Sequence, residues 1–297
     1  MRLHLPSNEQ RAKYGDVNPP VIVDGDLSFC YAMDTAYLNT ALDEGIQWAF
    51  FDRTELAHDI LDEGRRQGAL YEVYPEYTFG ALGAWAWGYS RCVDALELIG
   101  LSDMSCVVFT GHSRGGKTAA LAGVLDERAA IVNPNETCAG ACGCYRVHMK
   151  ASYLGSEEKR SETLADLLSH FDYWMGPDLH EYATREEELP FDEHMMKALV
   201  APRTLFISEA AGDIWANPIG SWQTTMAAKE IFRFLDVEDE LFWYFRPGVH
   251  YHDLNDVQML VNIILQKKKG AKADDRFSQL PFKAPELIFD WRAPENA

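Results

Sequence analysis

The octapeptide GHSRGGKT at residues 111–118 fits two catalytic motifs at once. Read as G-x-x-x-x-G-K-T, it is a P-loop, in which backbone N–H groups cradle a phosphate and Lys117 contacts it. Read as G-x-S-x-G, it is a nucleophile elbow, which holds Ser113 on a tight turn between a strand and a helix. The two motifs predict unrelated chemistry, so the rest of the chain must decide between them.

The sequence around the octapeptide suits both motifs. Residues 106–110 form an apolar run typical of a buried strand, and residues 117–126 have the pattern of a helix. A P-loop protein also needs an acidic residue at the end of a second apolar strand to hold Mg²⁺. The candidate strands at 21–24 and 48–52 lie upstream of the loop, and no clear downstream partner follows.

The elbow makes a stricter demand, because an acid and then a histidine must follow the serine, each after a strand. The strand-like run 204–208 leads to Asp213, and the run 241–245 leads to His250. Serine, acid and histidine therefore occur in the expected order, with Ser113 as nucleophile and His250 as base. A rival histidine, His252, is interpreted as a packing or surface residue.

Composition limits the class of protein. A chain of 297 residues with 47% hydrophobic content is long enough for one large core, and we expect a single domain over residues 1–297. A net charge of −19 argues against nucleic acid as a partner. No apolar stretch is long enough for a signal peptide or a membrane span, which predicts a cytoplasmic protein with no membrane partner.

The cysteines do not predict a metal centre. The chain has 6 cysteines, a number compatible with reduced thiols in the cytoplasm. The cluster Cys138, Cys142 and Cys144 has a spacing that fits no common zinc pattern. We therefore expect no bound metal. The sequence does not indicate an oligomeric state.

Strand-like and helical segments alternate, which predicts an α/β fold with a mostly parallel sheet between two helical layers. Predicted strands include 28–33, 47–51 and 129–132, and predicted helices are 80–98, 221–235 and 253–265. In the first helix one apolar stripe is expected to be buried, formed by Leu82, Trp85, Ala86, Tyr89, Val93 and Leu96. Residues 1–27 are expected to wrap the surface. Residues 139–202 interrupt the alternation and are expected to be an insertion that covers the edge of the sheet where ligands bind.

Six ordered motifs together resemble one family of hydrolases. They are WAWG at 85–88, GHSRGGK at 111–117, SET at 161–163 with Phe171 and Trp174, LPFDEH at 189–194 with APR at 201–203, DIWANP at 213–218, and RPGVH at 246–250. In this combination the chain resembles the glucuronoyl esterases, carbohydrate esterase family 15, of the α/β-hydrolase superfamily. The resemblance implies an α/β-hydrolase fold and a serine esterase that acts on a uronate ester or a related carbohydrate ester, without metal or organic cofactor.

The resemblance also implies roles for further residues. Glu136 matches an alternative position for the acid, so Asp213 and Glu136 both remain candidates to orient His250. The side chain of Arg114 is expected to stabilise the oxyanion together with its own backbone N–H. A sugar acid is expected to contact three residues, namely Lys117, Glu162 and Trp215. Two alternatives stay open: a deacetylase of acetylated carbohydrate on the same fold, and a non-catalytic carbohydrate-binding relative.

Overall fold

A computed structural model of the chain describes residues 1–15, 17–26, 35–60, 66–151, 159–270, 275–278 and 280–294. Within these residues a 7-stranded sheet forms the centre of the molecule. Its strands are β1 (Arg2–His4), β2 (Val21–Asp24), β3 (Gln47–Phe50), β4 (Val107–His112), β5 (Ala129–Asn135), β8 (Thr204–Ala210) and β9 (Leu241–Arg246), and a separate hairpin pairs β6 (Lys150–Ala151) with β7 (Lys159–Arg160).

The order of strands across the sheet is β1-β3-β2-β4-β5-β8-β9. The edge strand β1 runs antiparallel to β3, and the other neighbouring pairs run parallel. The carboxyl ends of β4, β5, β8 and β9 therefore lie along one edge, where parallel α/β sheets place their ligands. The predicted mostly parallel sheet is confirmed.

Helices cover both faces of the sheet. The longer ones are α2 (Thr35–Leu42), α4 (Ala81–Ile99), α5 (Arg114–Leu125), α6 (Leu164–Phe171), α8 (Pro218–Phe234) and α9 (Leu254–Lys269), and shorter ones are α1 (Asn8–Arg11), α3 (Ala69–Val73) and α7 (Glu193–Ala198). Along β2, Val21 and Val23 pack into one core with α4 and α5, whereas Ile22 packs into the opposite core with α2 and α9. Alternate side chains of a strand point to opposite faces, so this central strand is buried on both sides.

Several predictions about individual elements can now be compared with the structure. The apolar stripe of α4 is confirmed, since all six of its predicted residues are buried. The helix α5 begins at Arg114, directly after the serine and three residues before the predicted start at 117. The strand predicted at 28–33 lies outside the described residues.

The prediction that residues 1–27 wrap the surface is wrong for residues 19–26, which are buried. Strand β1 pairs with β3, and β2 is a central strand in which all four residues, Val21–Asp24, are buried. The run Val-Ile-Val-Asp, already a candidate strand in the sequence, is a short buried-strand pattern among polar residues and prolines. Among the described residues, no helix is both long and apolar enough to cross a membrane.

The chain between β5 and β8 contains the β6–β7 hairpin, α6 and α7. Its apolar side chains Leu164, Leu167 and Trp174 form a third core with residues of α4 such as Trp85. The backbone N–H of Glu162 also donates to Trp215 O (3.1 Å), which ties this segment to the loop after β8. The segment is thereby fixed beside the carboxyl ends of the strands.

Candidate active site

Ser113 lies on the sharp turn between β4 and α5. Its backbone has φ 56° and ψ −119°, a conformation that non-glycine residues rarely adopt. The Ser113 N–H donates to Asn135 O on β5 (2.9 Å), which fixes the turn to the neighbouring strand. Such strain at a single polar residue is characteristic of functional sites, and it is the backbone geometry that a nucleophile elbow requires.

Two glycines of the motif allow the turn to pack closely. A Cβ on Gly111 would overlap Gly115 O, and a Cβ on Gly115 would overlap the carboxylate of Asp26. Asp26 follows β2, and its Oδ2 accepts a hydrogen bond from the N–H of His112 (3.1 Å). The chain therefore needs glycine at 111 and 115 for steric reasons that are independent of the P-loop motif.

His250 lies on the loop after β9 and contacts Ser113 directly. Its Nε2 is 3.0 Å from Ser113 Oγ, and its Nδ1 is 2.5 Å from Asp213 Oδ2. Because a carboxylate only accepts hydrogen bonds, Nδ1 carries the proton of the neutral imidazole, and Nε2 can then accept the proton of the serine hydroxyl. This is the arrangement of a serine nucleophile, its base and an orienting acid.

Glu136 approaches the same histidine from the end of β5. Its Oε2 lies 3.4 Å from His250 Nδ1 and accepts from the N–H of Tyr251 (3.1 Å). Its Oε1 accepts from Arg246 Nη2 (2.5 Å), and Arg246 is also paired with Asp256. Both acids proposed from the sequence therefore face His250 Nδ1, with Asp213 the closer of the two.

The two carboxylates change the acidity of His250. Burial on its own lowers the pKa of the imidazole, but hydrogen bonds and charge interactions with Asp213 and Glu136 outweigh burial and raise the pKa to about 9. Burial raises the pKa of Glu136, and the charge of Asp213 adds to the effect, against the opposing hydrogen bond to His250 and the charge of Arg246. The acids thus stabilise the imidazolium that forms when His250 accepts a proton.

Two further histidines lie beside His250. The ring centroid of His112 is 4.7 Å from that of His250, and His252 stacks on His112 at 5.6 Å with an interplanar angle of 3°. Burial, with a contribution from the other two histidines, lowers the pKa of His112 well below its usual value, so that ring is neutral. His252 is buried, in agreement with its interpretation as a packing residue.

In the part of the chain that the structure describes, one group of side chains has the composition of a metal site. Ligand atoms of His112, Glu136 and His250 lie within 4.8 Å of one another. His250 uses both ring nitrogens toward Ser113 and Asp213, and Glu136 is paired with Arg246. We therefore assign these side chains to the serine site, and the absence of a metal stays a prediction.

Arg114 is the first residue of α5, so its backbone N–H is one of the groups at a helix start that lack an intrahelical acceptor. An elbow places this N–H toward a developing oxyanion. The side chain of Arg114 is 30% exposed, and its guanidinium lies over the rings of Phe171 (4.9 Å) and Trp174 (4.8 Å). The oxyanion role of the guanidinium stays a prediction.

The three residues expected to contact a sugar acid differ in exposure. Lys117 and Glu162 are buried and paired with each other (3.1 Å), and Lys117 Nζ also donates to the carbonyls of Thr137 and Ala139. The lysine of the apparent P-loop is therefore held by protein oxygens. Trp215 is 42% exposed and lines a cavity of about 490 Å³ together with Asp213 and His250.

Comparison with known proteins decides the family. A family model described as "Glucuronyl esterase, fungi" matches residues 13–236. A 4-O-methyl-glucuronoyl methylesterase from Hypocrea jecorina (strain QM6a) is 31% identical over 257 residues, which cover 84% of this chain and 55% of that protein. This chain belongs to the glucuronoyl esterase family. It spans about half the length of the curated relatives it matches.

Solved structures of glucuronoyl esterases have the same fold. A carbohydrate esterase family 15 glucuronoyl esterase from Caldicellulosiruptor kristjansonii superposes with a TM-score of 0.85 at 29% identity, covering 98% of this chain and 78% of that one. The catalytic domain of the glucuronoyl esterase from Hypocrea jecorina gives 0.77 at 26% identity, with 98% and 76% covered. The predicted α/β-hydrolase fold and the family resemblance are confirmed.

Sequence reasoning assigned no role to several residues that shape the site. Arg246 pairs with Glu136. Its position at the end of a predicted strand, directly before Pro247, was the one indication in the sequence that it lies near the site. Asp26 and Asp59 contact the elbow and Arg114 respectively. Neither belongs to a motif recognised in the sequence, so their partners become visible only in three dimensions.

Proposed function

We propose that this protein is a serine carboxylic-ester hydrolase whose substrate is an ester of a uronic acid. The observation that carries the proposal is the continuous contact of Ser113, His250 and Asp213, of which His250 and Asp213 line an open cavity. The names of its relatives support the acid component of the substrate, since those proteins are 4-O-methyl-glucuronoyl methylesterases.

In the first half of the reaction, Ser113 Oγ attacks the ester carbonyl while His250 Nε2 accepts the hydroxyl proton. The carbonyl oxygen becomes an oxyanion, which the backbone N–H of Arg114 stabilises, with the guanidinium as the expected second donor. His250 then gives its proton to the departing alcohol oxygen, and an acyl-serine remains. In the second half, His250 removes a proton from water, the resulting hydroxide attacks the acyl group, and Ser113 regains its proton as the uronic acid leaves.

The cavity wall supports recognition of a sugar ring. Trp215 exposes part of its indole beside His250, and a flat aromatic face packs against the apolar face of a pyranose. Lys159 and Arg160 of the β6–β7 hairpin line the same cavity and bring positive charge to its wall. The buried Lys117 and Glu162 are paired with each other, and the backbone N–H of Glu162 donates to Trp215 O, which ties this pair to the loop that carries the indole.

The proposal is tested by comparing esters that differ on the acid side. We expect the purified protein to hydrolyse the methyl ester of 4-O-methyl-glucuronic acid and to release little acetate from acetylated xylo-oligosaccharide. The methyl ester of galacturonic acid is a control, since it differs in the sugar but keeps the same ester. Faster release of acetate than of methanol would contradict the proposal and would favour a carbohydrate deacetylase.

A matched variant tests the sugar contact separately from the chemistry. Trp215→Ala should raise KM for the uronate ester, because the sugar ring of that substrate packs against the indole. Hydrolysis of a small aryl acetate, which has no sugar ring, should be nearly unchanged. Equal losses on both esters would show that Trp215 is structural.

The cytoplasmic location expected from the sequence stays a prediction, which cell fractionation tests.

A further inference from the structure

We infer that Asp59 is a positioning residue, which holds the Arg114 guanidinium in the orientation that stabilises the oxyanion. The inference rests on the proposed function, because the oxyanion forms only if Ser113 attacks an acyl group. Asp59 lies after β3, far in sequence from the elbow, and no motif of the chain includes it.

The carboxylate of Asp59 is 3% exposed and uses its two oxygens for different partners. Oδ2 accepts from Arg114 Nη1 (3.1 Å). Oδ1 accepts from the hydroxyl of Tyr173 (2.8 Å) and from Trp174 Nε1 (3.1 Å). Tyr173 and Trp174, which follow α6, thus fix the orientation of the carboxylate independently of Arg114.

The same aromatic residues also hold the guanidinium. Phe171 and Trp174 stack on each other at 3.9 Å, and Arg114 Cζ lies within 4.9 Å of both ring centroids. Trp174 therefore contacts Arg114 with its ring and Asp59 with its Nε1. Cation–π contacts restrain the distance of the guanidinium from the rings, and the ion pair with Asp59 restrains its rotation.

Asp59 also links Arg114 to the elbow through a second route. Its Oδ2 lies 3.6 Å from Nη2 of the buried Arg53, which is paired with Asp26. Asp26 in turn accepts from the N–H of His112, the residue before the nucleophile. Charges therefore alternate from Arg114 through Asp59 and Arg53 to Asp26, so Arg114 is fixed relative to the serine it follows.

Positioning matters because a long arginine side chain loses rotamer entropy when it is ordered. If the protein orders Arg114 before substrate binds, the donor needs no reorganisation as the oxyanion forms. The partial exposure of Arg114 leaves the guanidinium accessible to a substrate while Asp59 stays buried. Asp59 thus contributes to catalysis through Arg114, without contact to the substrate.

The test is a double-mutant cycle on the full chain. Asp59→Asn keeps an acceptor for Tyr173 and Trp174 and removes the charge that holds Arg114. We expect kcat to fall about 10-fold or more with little change in KM, within the roughly 10²- to 10³-fold effect of losing an oxyanion donor. In an Arg114→Ala background, Asp59→Asn should change kcat by less than about twofold.

Asp126→Asn is the matched control, because Asp126 is also a largely buried aspartate paired with an arginine, Arg128 (2.7 Å), outside the site. It should leave kcat unchanged. If Asp59→Asn acted only through packing or through Arg53, its loss of activity would persist in the Arg114→Ala background. That result would overturn the inference.

Two further readouts separate this inference from the proposed function. The rate at which a fluorophosphonate modifies Ser113 also depends on the oxyanion site and needs no uronate, so we expect it to fall in Asp59→Asn and stay normal in Asp126→Asn. Free guanidinium at millimolar concentration should partly restore Arg114→Ala and should fail to restore Arg114→Ala/Asp59→Asn. Wild-type protein that reacts with the fluorophosphonate and does not hydrolyse uronate esters would reject the substrate proposal alone. Equal labelling of wild type and Asp59→Asn would reject the role of Asp59.

Discussion

Asp213 Oδ2 lies 2.5 Å from His250 Nδ1, in the position of the acid that fixes the tautomer of a catalytic histidine. The second acid, Glu136, is 3.4 Å from the same nitrogen and also forms an ion pair with Arg246. Two carboxylates therefore face one imidazole, but only Asp213 is at the distance of a strong hydrogen bond.

The two acids should contribute unequally. We expect Asp213→Asn to lower kcat by up to about 10⁴-fold, the scale seen when a triad aspartate is neutralised, and Glu136→Gln to lower it less. The double variant should lose more than either single one, because each carboxylate partly replaces the other. Steady-state kcat for the two singles and the double completes a cycle, and its coupling term measures the shared role. A Glu136→Gln variant as impaired as Asp213→Asn would contradict this ranking.

The raised pKa of His250 predicts the pH dependence of activity. The histidine acts as a base only when neutral, and its pKa is raised to about 9, so kcat/KM should increase with pH across that value. Glu136→Gln removes one of the groups that raise this pKa, so its inflection should move to lower pH. The measurement is kcat/KM against pH with a substrate that is stable in mild alkali. A wild-type profile in which kcat/KM is already constant at neutral pH would show that the pKa of His250 is not raised.

The buried pair of Lys117 and Glu162 should contribute to the free energy of unfolding. Lys117→Met leaves Glu162 and two carbonyls buried without their cation, and breaking a buried pair on one side costs about 3–5 kcal/mol. The double variant Lys117→Met/Glu162→Leu should be more stable than Lys117→Met alone. Urea unfolding gives both free energies, and Lys159→Met, at an exposed lysine, is the control. Wild-type stability in Lys117→Met would contradict the buried pair.

The elbow glycines should tolerate no side chain. Gly115→Ala places a methyl group against the Asp26 carboxylate and should abolish activity and lower the melting temperature. Gly83→Ala is the matched control within α4, where a Cβ would meet nothing nearer than 3.6 Å. Alanine is favoured over glycine in a helix by about 1 kcal/mol, so Gly83→Ala should be neutral or stabilising. Thermal melts with an esterase assay on both variants test this contrast, and an active Gly115→Ala would refute the close packing of the turn.

Local sequence patterns predicted the buried face of one helix and the three residues of the serine site. The 3.6-residue periodicity of α4 identified its buried face because that helix packs along a single stripe. Ser113, Asp213 and His250 were identified because each follows a strand in an order that the elbow chemistry demands. The strand β2 was recognised only as a candidate at 21–24, and its central place in the sheet was not predicted because four residues among prolines and polar residues give too short a pattern.

Long-range contacts explain what the sequence could not predict. Asp59 contacts Arg114 and Tyr173, residues more than fifty positions away. Lys117 was expected to contact a sugar acid, and only the tertiary structure shows that its ammonium group is enclosed by Glu162 and two carbonyls. Burial of a charge depends on packing of the whole chain, which no local pattern records.

The central claim is that Ser113 is the nucleophile of a uronate esterase. Its hydroxyl is 3.0 Å from His250 Nε2 on a turn that is set by the backbone, so Ser113→Ala should fold as the wild type does. The most direct measurement is the initial rate of hydrolysis of methyl 4-O-methyl-glucuronate by purified wild type and Ser113→Ala, with thermal melts of both. We predict turnover by the wild type and loss of nearly all activity in a variant with an unchanged melting temperature. Full activity in Ser113→Ala, or a wild type without activity on the ester, would contradict the account.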